Sequence, residues 1–223
     1  MMKRNLLALS LALVLALALC ACGGSEDGKL AGGTWTESPE AIENMASFTD
    51  SYRAEDITGP IPADWTLPEG FTVGEKTRVE VCGDQILVGE FNDQGVMEGF
   101  TVSTYADGEL TTIYEFKSGV VRSWQRFFSP DGTKLVAVWA KDADAPEWNV
   151  TLVDLTTGGE SQLELPEMTF TSVNKETGQE ETKTAEFLLP KWQDDTHLVV
   201  TGCPKEFNDD VKPITYVYTL PAA

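Results

Sequence analysis

Apolar and polar positions in residues 78–223 form short runs of β-forming residues separated by turn-forming clusters. The clearest case is 100–116, where two such runs flank Asp107-Gly108. Asp-Gly at that position is a strong hairpin signal, because the turn requires a positive φ. Further strands are predicted at 79–91, 123–128, 135–140, 150–155, 162–165, 187–192, 197–201 and 214–220. The pattern therefore predicts an all-β domain.

Two segments add detail to this pattern. Residues 167–184 form a polar excursion, with 174–179 as its exposed turn. In the closing strand, alternate apolar residues are expected to share one face, because successive side chains of a strand point to opposite sides. These are Ile214, Tyr216, Tyr218 and Leu220.

Three segments repeat the same pattern of a turn followed by an apolar strand. They are Gly83-Asp84-Gln85-Ile86-Leu87, Gly132-Thr133-Lys134-Leu135-Val136 and Asp195-Thr196-His197-Leu198-Val199. In each, the strand is a nearly continuous apolar run, which must be covered on both faces. Propeller blades meet this requirement, because each small sheet lies between two neighbours.

Residues 128–138 (FSPDGTKLVAV) and 150–158 (VTLVDLTTG) resemble a blade of the TolB-like, WD-repeat-like propellers. The resemblance is looser at 79–116 and 185–221, and it is absent before residue 70. It implies antiparallel propeller-blade-like repeats and a structural role for the Ser-Pro-Asp-Gly turn. A closed propeller has at least four blades, whereas about three repeats are recognisable here. Irregular closure by 34–77, an open stack or β-sandwich, and pairing of two chains are the alternatives.

The N-terminus has the layout of an export signal. Lys3 and Arg4 precede an uncharged apolar run at 6–19, which is shorter than the roughly 20 residues needed to cross a bilayer. Leu19-Cys20-Ala21-Cys22 resembles the lipobox of bacterial lipoproteins. The resemblance implies cleavage after residue 21 and a diacylglyceryl group on the Cys22 thiol, which anchors the chain in the membrane. Cys20 is the other candidate acceptor, although the bulky Leu19 precedes it, and an uncleaved signal anchor is a further alternative.

Four regions follow from these patterns. Residues 1–21 are the lipoprotein signal peptide, and 22–33 form a flexible tether rich in glycine. Residues 34–77 are expected to be an irregular arm, held to the body by Trp65 and Phe71. A short helix is predicted at 38–48, since Ser38 and Pro39 suit its first positions. Residues 78–223 form the β-repeat domain.

Composition narrows the class of partner. Loss of 1–21 removes Lys3 and Arg4 and no acid, so that 14 basic residues face 36 acidic ones, a formal charge of −22. Such an acidic protein repels nucleic acid, whose binding needs basic patches. It also repels anionic head groups, so the body is not expected to lie flat on the membrane. Membrane lipid, through the Cys22 anchor, is the one expected partner; a protein or glycan partner is not specified.

Few residues suit catalysis or metal binding. His197, the only histidine, begins a strand and is predicted to be a satisfied surface residue. The Gly-x-Ser-x-Gly, phosphate-loop and four-ligand zinc patterns are missing from the sequence. Export permits a disulfide between Cys82 and Cys203, with two free thiols as the alternative. No catalytic, cofactor-binding or metal-binding residue is therefore assigned.

Two sets of residues have both a structural and a functional interpretation. Acidic clusters are expected to be solvated loop charge, and the tryptophans are expected in the core more than in a carbohydrate platform. The acids are Asp142, Asp144, Glu147, Glu206, Asp209 and Asp210, and the tryptophans are Trp124, Trp139, Trp148 and Trp192.

The sequence thus predicts a lipid-anchored protein on the extracytoplasmic face of the cell membrane, with a non-catalytic β-repeat module that binds a partner. The loops at 92–98, 141–147 and 204–212 are the expected contact sites, since blade repeats present loops from one rim. A hydrolase of glycans or peptides that uses carboxylates alone is one alternative. A component of envelope assembly or signalling is another.

Overall fold

The computed structural model describes residues 30–38, 61–93, 96–121, 126–143, 145, 147–204 and 211–222. Its regular secondary structure in these ranges consists of fourteen β-strands, which confirms the predicted all-β class. They are β1 (Thr34–Glu37), β2 (Thr77–Cys82), β3 (Gln85–Phe91), β4 (Met97–Ala106), β5 (Glu109–Phe116), β6 (Val120–Val121), β7 (Lys134–Ala140), β8 (Asn149–Asp154), β9 (Gly159–Gln162), β10 (Thr169–Val173), β11 (Glu180–Thr184), β12 (Phe187–Trp192), β13 (His197–Cys203) and β14 (Val211–Thr219). Within the same ranges, no helix has the length and apolar character needed to cross a bilayer.

The strands form two antiparallel sheets, neither of which closes on itself. The eight-stranded sheet has the order β2-β3-β4-β6-β7-β8-β9, with β5 also paired to β4. The six-stranded sheet has the order β11-β10-β14-β13-β12, with β1 also paired to β14. Contact between β4 and β6 is a single residue pair, Met97 with Val121, so the larger sheet consists of two parts.

Three four-stranded units can therefore be distinguished. The first unit is β2 to β5. The second unit is the segment 127–128 with β7, β8 and β9; its first strand is short, with Phe128 bridged to Leu135. The third unit is β12, β13 and β14 with β1, and the hairpin β10–β11 attaches to the start of β14.

The second unit lies between the other two. Leu135 and Ala137 of β7 belong to a core shared with Phe100 and Phe116 of the first unit. The alternate residues of the same strand, among them Val136, contribute to a core shared with the third unit. Coverage on both faces, which the continuous apolar run predicted, is therefore confirmed for β7.

The predicted hairpin at 100–116 is confirmed, with Asp107 at φ 53° and Gly108 at φ 85°. The prediction of one strand at 79–91 was wrong, because two strands lie there. β2 and β3 form a second hairpin, with Cys82 paired to Gln85 across a turn at Gly83, whose φ is 60°. Gly83 belongs to the turn that begins the first of the three repeats, and a glycine with positive φ ends a strand locally.

The polar excursion at 167–184 is the hairpin β10–β11, and its turn falls at 174–179 as predicted. The closing strand also follows the prediction in part, since Tyr216, Tyr218 and Leu220 all contribute to the core between the second and third units. Residues 123–125 of the strand predicted at 123–128 lie outside the described residues, and so does the predicted helix at 38–48 beyond Ser38.

The predicted boundaries at 22–33 and 34–77 were wrong where the structure describes them. Leu30 is buried in the core between the second and third units, so the end of the presumed tether is part of the body. β1 replaces the start of the presumed arm and pairs with β14, with Thr34 opposite Thr219. Farther along the arm, Trp65 stacks on Tyr105 at a centroid distance of 4.8 Å, as expected.

Candidate functional site

All three units meet at the backbone of Phe127. The carboxylate of Glu80, from the first unit, accepts hydrogen bonds from the amide N–H of Phe127 at 3.0 Å and of Phe128 at 3.2 Å. Trp192, from the third unit, donates its indole N–H to the carbonyl oxygen of Phe127 at 3.0 Å. Arg78 lies over the Phe127 ring, 4.5 Å from the centroid. Side chains of the first and third units thus hold one short segment of the second unit in place.

Arg78 and Glu80 form a buried ion pair at this junction, with each residue only 4% exposed and 3.7 Å between Nη2 and Oε2. Burial lowers the pKa of Arg78 to about 10, although Glu80 opposes the shift. Burial also raises the pKa of Glu80, against the hydrogen bonds from Phe127 and Phe128 and the charge of Arg78. Because neither side chain reaches solvent, the pair holds the units together and cannot contact a ligand.

The turns of the three sequence repeats lie side by side at one end of the body, which we call the turn end. The amide N–H of Asp131 donates to the carboxylate of Asp195 at 2.7 Å, which joins the second unit to the third. Gly132, with φ 71°, lies so close to Cys82 of the first unit that a Cβ on it would be 3.0 Å from Sγ. The Ser-Pro-Asp-Gly turn is thus part of the packing between units.

The aspartates of these turns stabilise the local backbone. Partial burial would raise the pKa of Asp131, but hydrogen bonds from Ser129 and Thr133 lower it to about 2. The pKa of Asp194 is also about 2, mainly because Thr196 donates its amide and hydroxyl groups to the carboxylate. Both carboxylates are ionised and engaged in their own turns.

His197 follows one of these turns and is satisfied, as predicted. Its Nδ1 lies 2.8 Å from the Asp194 carboxylate and 3.1 Å from the hydroxyl of Thr196. The same carboxylate also accepts the amide N–H groups of Thr196 and His197, so it stabilises the turn as well as the imidazole.

Cys82 and Cys203 are free thiols, so the disulfide permitted by export is not formed. Cys82 ends β2 at the turn end, whereas Cys203 ends β13 at the opposite end of the body. A disulfide needs Cα atoms within about 7 Å of each other. Burial raises the pKa of Cys203 to about 12 and, with the charge of Glu80, also raises the pKa of Cys82. Neither thiol has the lowered pKa of an activated nucleophile.

The described tryptophans of the proposed platform are built into the fold. Trp192 is buried, and Trp139 packs on Phe116 and donates its indole N–H to Thr151 at 2.9 Å. Trp148 packs against the core between the second and third units. The structural interpretation is therefore correct for these three, and Trp124 lies outside the described residues.

Cys22, where lipidation is expected, also lies outside the described residues, as do Asp144, Glu206, Asp209 and Asp210. In the part of the chain that the structure describes, no three His, Cys, Asp or Glu side chains come together as a metal site would require.

A groove of about 510 Å³ runs between the second and third units. We call it the inter-unit groove. Trp35 of β1 and Tyr218 of β14 line one side, with ring centroids 4.9 Å apart. Residues 160–164, which begin within β9, line the other. The indole N–H of Trp35 donates to the carbonyl oxygen of Glu164 at 2.9 Å and so ties the two sides together.

The inter-unit groove combines the half-buried indole ring of Trp35, which lies against the buried ring of Tyr218, with exposed polar side chains, namely Glu160, Gln162 and Glu164. This combination suits a ligand that has an apolar face and hydroxyl or amine groups, such as a sugar. A second recess of about 570 Å³ lies beside β3, β4 and β5. Its polar lining includes Glu90, Glu98 and Lys117, and its aromatic residues include Phe91, Phe100 and Phe116. Of these two recesses, the inter-unit groove is the one that joins two units.

Sequence reasoning missed the inter-unit groove because Trp35 was assigned to an irregular arm. The alternation Thr34-Trp35-Thr36 was the available signal, since Thr and Trp favour strands. The partner strand of β1 lies at the other end of the chain, so the short pattern alone could not place it.

No protein-family profile, curated protein or solved structure matches this chain.

Proposed function

We propose that this protein is a lipoprotein, anchored through Cys22 on the extracytoplasmic face of the cell membrane, whose body is a non-catalytic binding module. The signal-like residues 1–21 and the lipobox resemblance support the anchor. The inter-unit groove is the observation that carries the binding function. Its half-buried Trp35 ring and its carboxylates favour a carbohydrate ligand, bound by stacking on that ring and by hydrogen bonds to hydroxyl groups.

A propeller-like stack of three units is the architecture that we propose for this module. Its support is the position of the second unit between two cores and the approach of three equivalent turns at one end. Side-by-side sheets that share their inner strands are typical of propeller blades.

The state of the titratable groups supports binding over catalysis. Arg78 and Glu80 are buried in a pair, and Asp131 and Asp194 accept hydrogen bonds within their own turns. A general acid needs a pKa near the operating pH and access to substrate. These four groups lack that combination, and the thiols of Cys82 and Cys203 have raised pKa values.

A fractionation experiment tests the anchor. We expect the wild-type protein in membranes, with a diacylglyceryl mass on Cys22, and a Cys22→Ser chain that lacks residues 1–21 in the soluble fraction. Wild-type protein with an unmodified Cys22 would contradict the anchor.

A glycan array probed with residues 22–223 tests the binding module. We expect one class of glycan to bind, and Glu164→Gln in the groove to weaken binding about tenfold, the effect of losing a charged hydrogen bond. Glu115→Gln, at an exposed ion pair with Lys117 on the first unit, is the matched control and should not change it. Absence of binding, or equal effects of both variants, would contradict a carbohydrate site in this groove.

A further inference from the structure

The chain enters the body at the turn end. The carbonyl oxygen of Leu30 accepts a hydrogen bond from the Tyr218 hydroxyl at 2.6 Å, and the amide N–H of Gly33 donates to the same hydroxyl oxygen at 2.8 Å. Thr34 then pairs with Thr219, which pairs on its other side with His197. Leu30 to Thr34 is therefore beside the turn at 194–195.

The opposite end of the body, which we call the distal end, is about one strand length away. β3, β5, β7 and β13 all start at the turn end and finish at the distal end. The longest strand, β4, has ten residues, which corresponds to about 34 Å at about 3.4 Å per residue.

We propose that the turn end faces the membrane and that the distal end points away from it. The proposal rests on the lipid anchor at Cys22. Eight residue steps separate Cys22 from Leu30, and they reach about 28 Å when fully extended. That reach is shorter than the body. A distal end resting on the bilayer would require a fully stretched chain along the side of the protein, at a large loss of conformational entropy.

The acidic charge of the turn end keeps it from lying on the membrane. Exposed acids at this end include Asp84, Asp107 and Glu109, whereas Lys134 is mostly covered and paired with Asp131. Anionic head groups would repel this surface, but salt limits the repulsion to about 8 Å. The chain before Leu30 can span that gap, so the turn end remains the nearer end.

This orientation leaves the distal end accessible to other molecules. β3, β7 and β13 finish there, at Phe91, Ala140 and Cys203. These strands have seven residues each, so the connections that follow them start about 24 Å farther from the bilayer than the turns do. A partner that binds these connections must extend that far from the membrane or be free in solution.

Two labels on one strand test the orientation. Glu109→Cys places a donor fluorophore at the turn end of β5, and Lys117→Cys places it just beyond the distal end of the same strand; both positions are exposed. Each variant carries Cys82→Ala to remove the half-buried thiol, and Cys203 is buried. The lipidated proteins are reconstituted in vesicles with acceptor-labelled lipid.

We expect energy transfer to be at least about twofold more efficient from position 109, because the two labels are about 27 Å apart along the strand. Equal efficiencies, or a higher value at position 117, would overturn the orientation. Flotation of the wild-type protein and of a Cys22→Ser chain that lacks residues 1–21 separates this outcome from failure of the anchor. If both proteins float with the vesicles, the anchor fails; if only the wild type floats, the label comparison alone decides the orientation.

Discussion

The indole N–H of Trp192 donates a hydrogen bond to the carbonyl oxygen of Phe127 across the boundary between the two sheets, at 3.0 Å. Phe127 is fully buried, and its amide N–H donates to Glu80 from the first unit. Both backbone groups of one residue are therefore bonded to side chains from other units. Because such groups are costly to leave unpaired in a protein interior, this junction makes the three units depend on each other.

Replacement of Trp192 by phenylalanine tests the link between the sheets. Trp192→Phe keeps an aromatic ring but removes the N–H donor, while the Val136 amide still donates to the same carbonyl oxygen. We expect a loss of about 1–2 kcal/mol in the free energy of unfolding of residues 22–223, measured in urea. Trp148→Phe is the control, since its hydrogen bond to the Glu186 carbonyl oxygen is exposed. Equal losses would show that the buried hydrogen bond contributes no more to the free energy of unfolding than the exposed one.

Glu80 should matter more, because its loss leaves a buried charge. Glu80→Gln keeps the size of the side chain but leaves the Arg78 guanidinium without its carboxylate. Breaking a buried ion pair typically costs about 3–5 kcal/mol. The free energy of unfolding in urea measures the loss, and Glu115→Gln, at an exposed pair with Lys117, should cost less than about 1 kcal/mol. A loss no larger than that of the control would exclude the ion pair as a main contributor to stability.

The turn at Asp194 should contribute pH-dependent stability. Its folded pKa of about 2 lies below the ordinary value of 3.8, so the folded state binds this proton more weakly than the unfolded chain does. The contribution is present above pH 3.8 and is lost as the pH falls through about 2. Asp194→Asn keeps an acceptor oxygen but cannot ionise, so the advantage of the wild type should disappear over this range.

Thermal unfolding from about pH 6 down to about pH 2 measures that difference. Since the Asp194 side chain is about half exposed, we expect the difference to stay below about 1 kcal/mol. Asp93→Asn, at an exposed ion pair with Lys76, is the control. A wild-type advantage that persists unchanged at about pH 2 would contradict a role of the Asp194 charge.

The sequence was sufficient where a local signal decides the structure. Asp107-Gly108 predicts its hairpin because few residues accept positive φ. The apolar run at Leu135 to Val138 predicts a strand covered on both faces, because every side chain in it must leave water. Each of these inferences requires only neighbouring residues.

Features that depend on distant parts of the chain could not be predicted from the sequence in this way. Trp35 lines the candidate groove because β1 pairs with β14, some 180 residues away. Glu80 is buried because Phe127 and Phe128 present their amides to it. In the sequence, Arg78 and Glu80 are two charges on one side of a strand, a pattern that usually indicates a solvated face.

The docking of residues 30–33 can be separated from the rest of the fold through Tyr218. Its hydroxyl group forms hydrogen bonds with the Leu30 carbonyl oxygen and the Gly33 amide N–H, and among the described residues it has no other hydrogen-bond partner. Tyr218→Phe should therefore cost about 1–3 kcal/mol in a chain of residues 22–223, because one buried and one half-buried backbone group lose their partner. A chain of residues 30–223 should show the same cost, since it keeps both groups.

In a chain of residues 34–223, Tyr218→Phe should be nearly neutral, because the two backbone groups are gone. That chain should itself be less stable by about 2–5 kcal/mol, since it also lacks the Leu30 side chain in the core. Urea unfolding of the six proteins gives the coupling energy between the hydroxyl and the N-terminal segment. An equal cost of Tyr218→Phe in all three chains would show that residues 30–33 are not docked, and the entry of the chain at the turn end would then lack its main support.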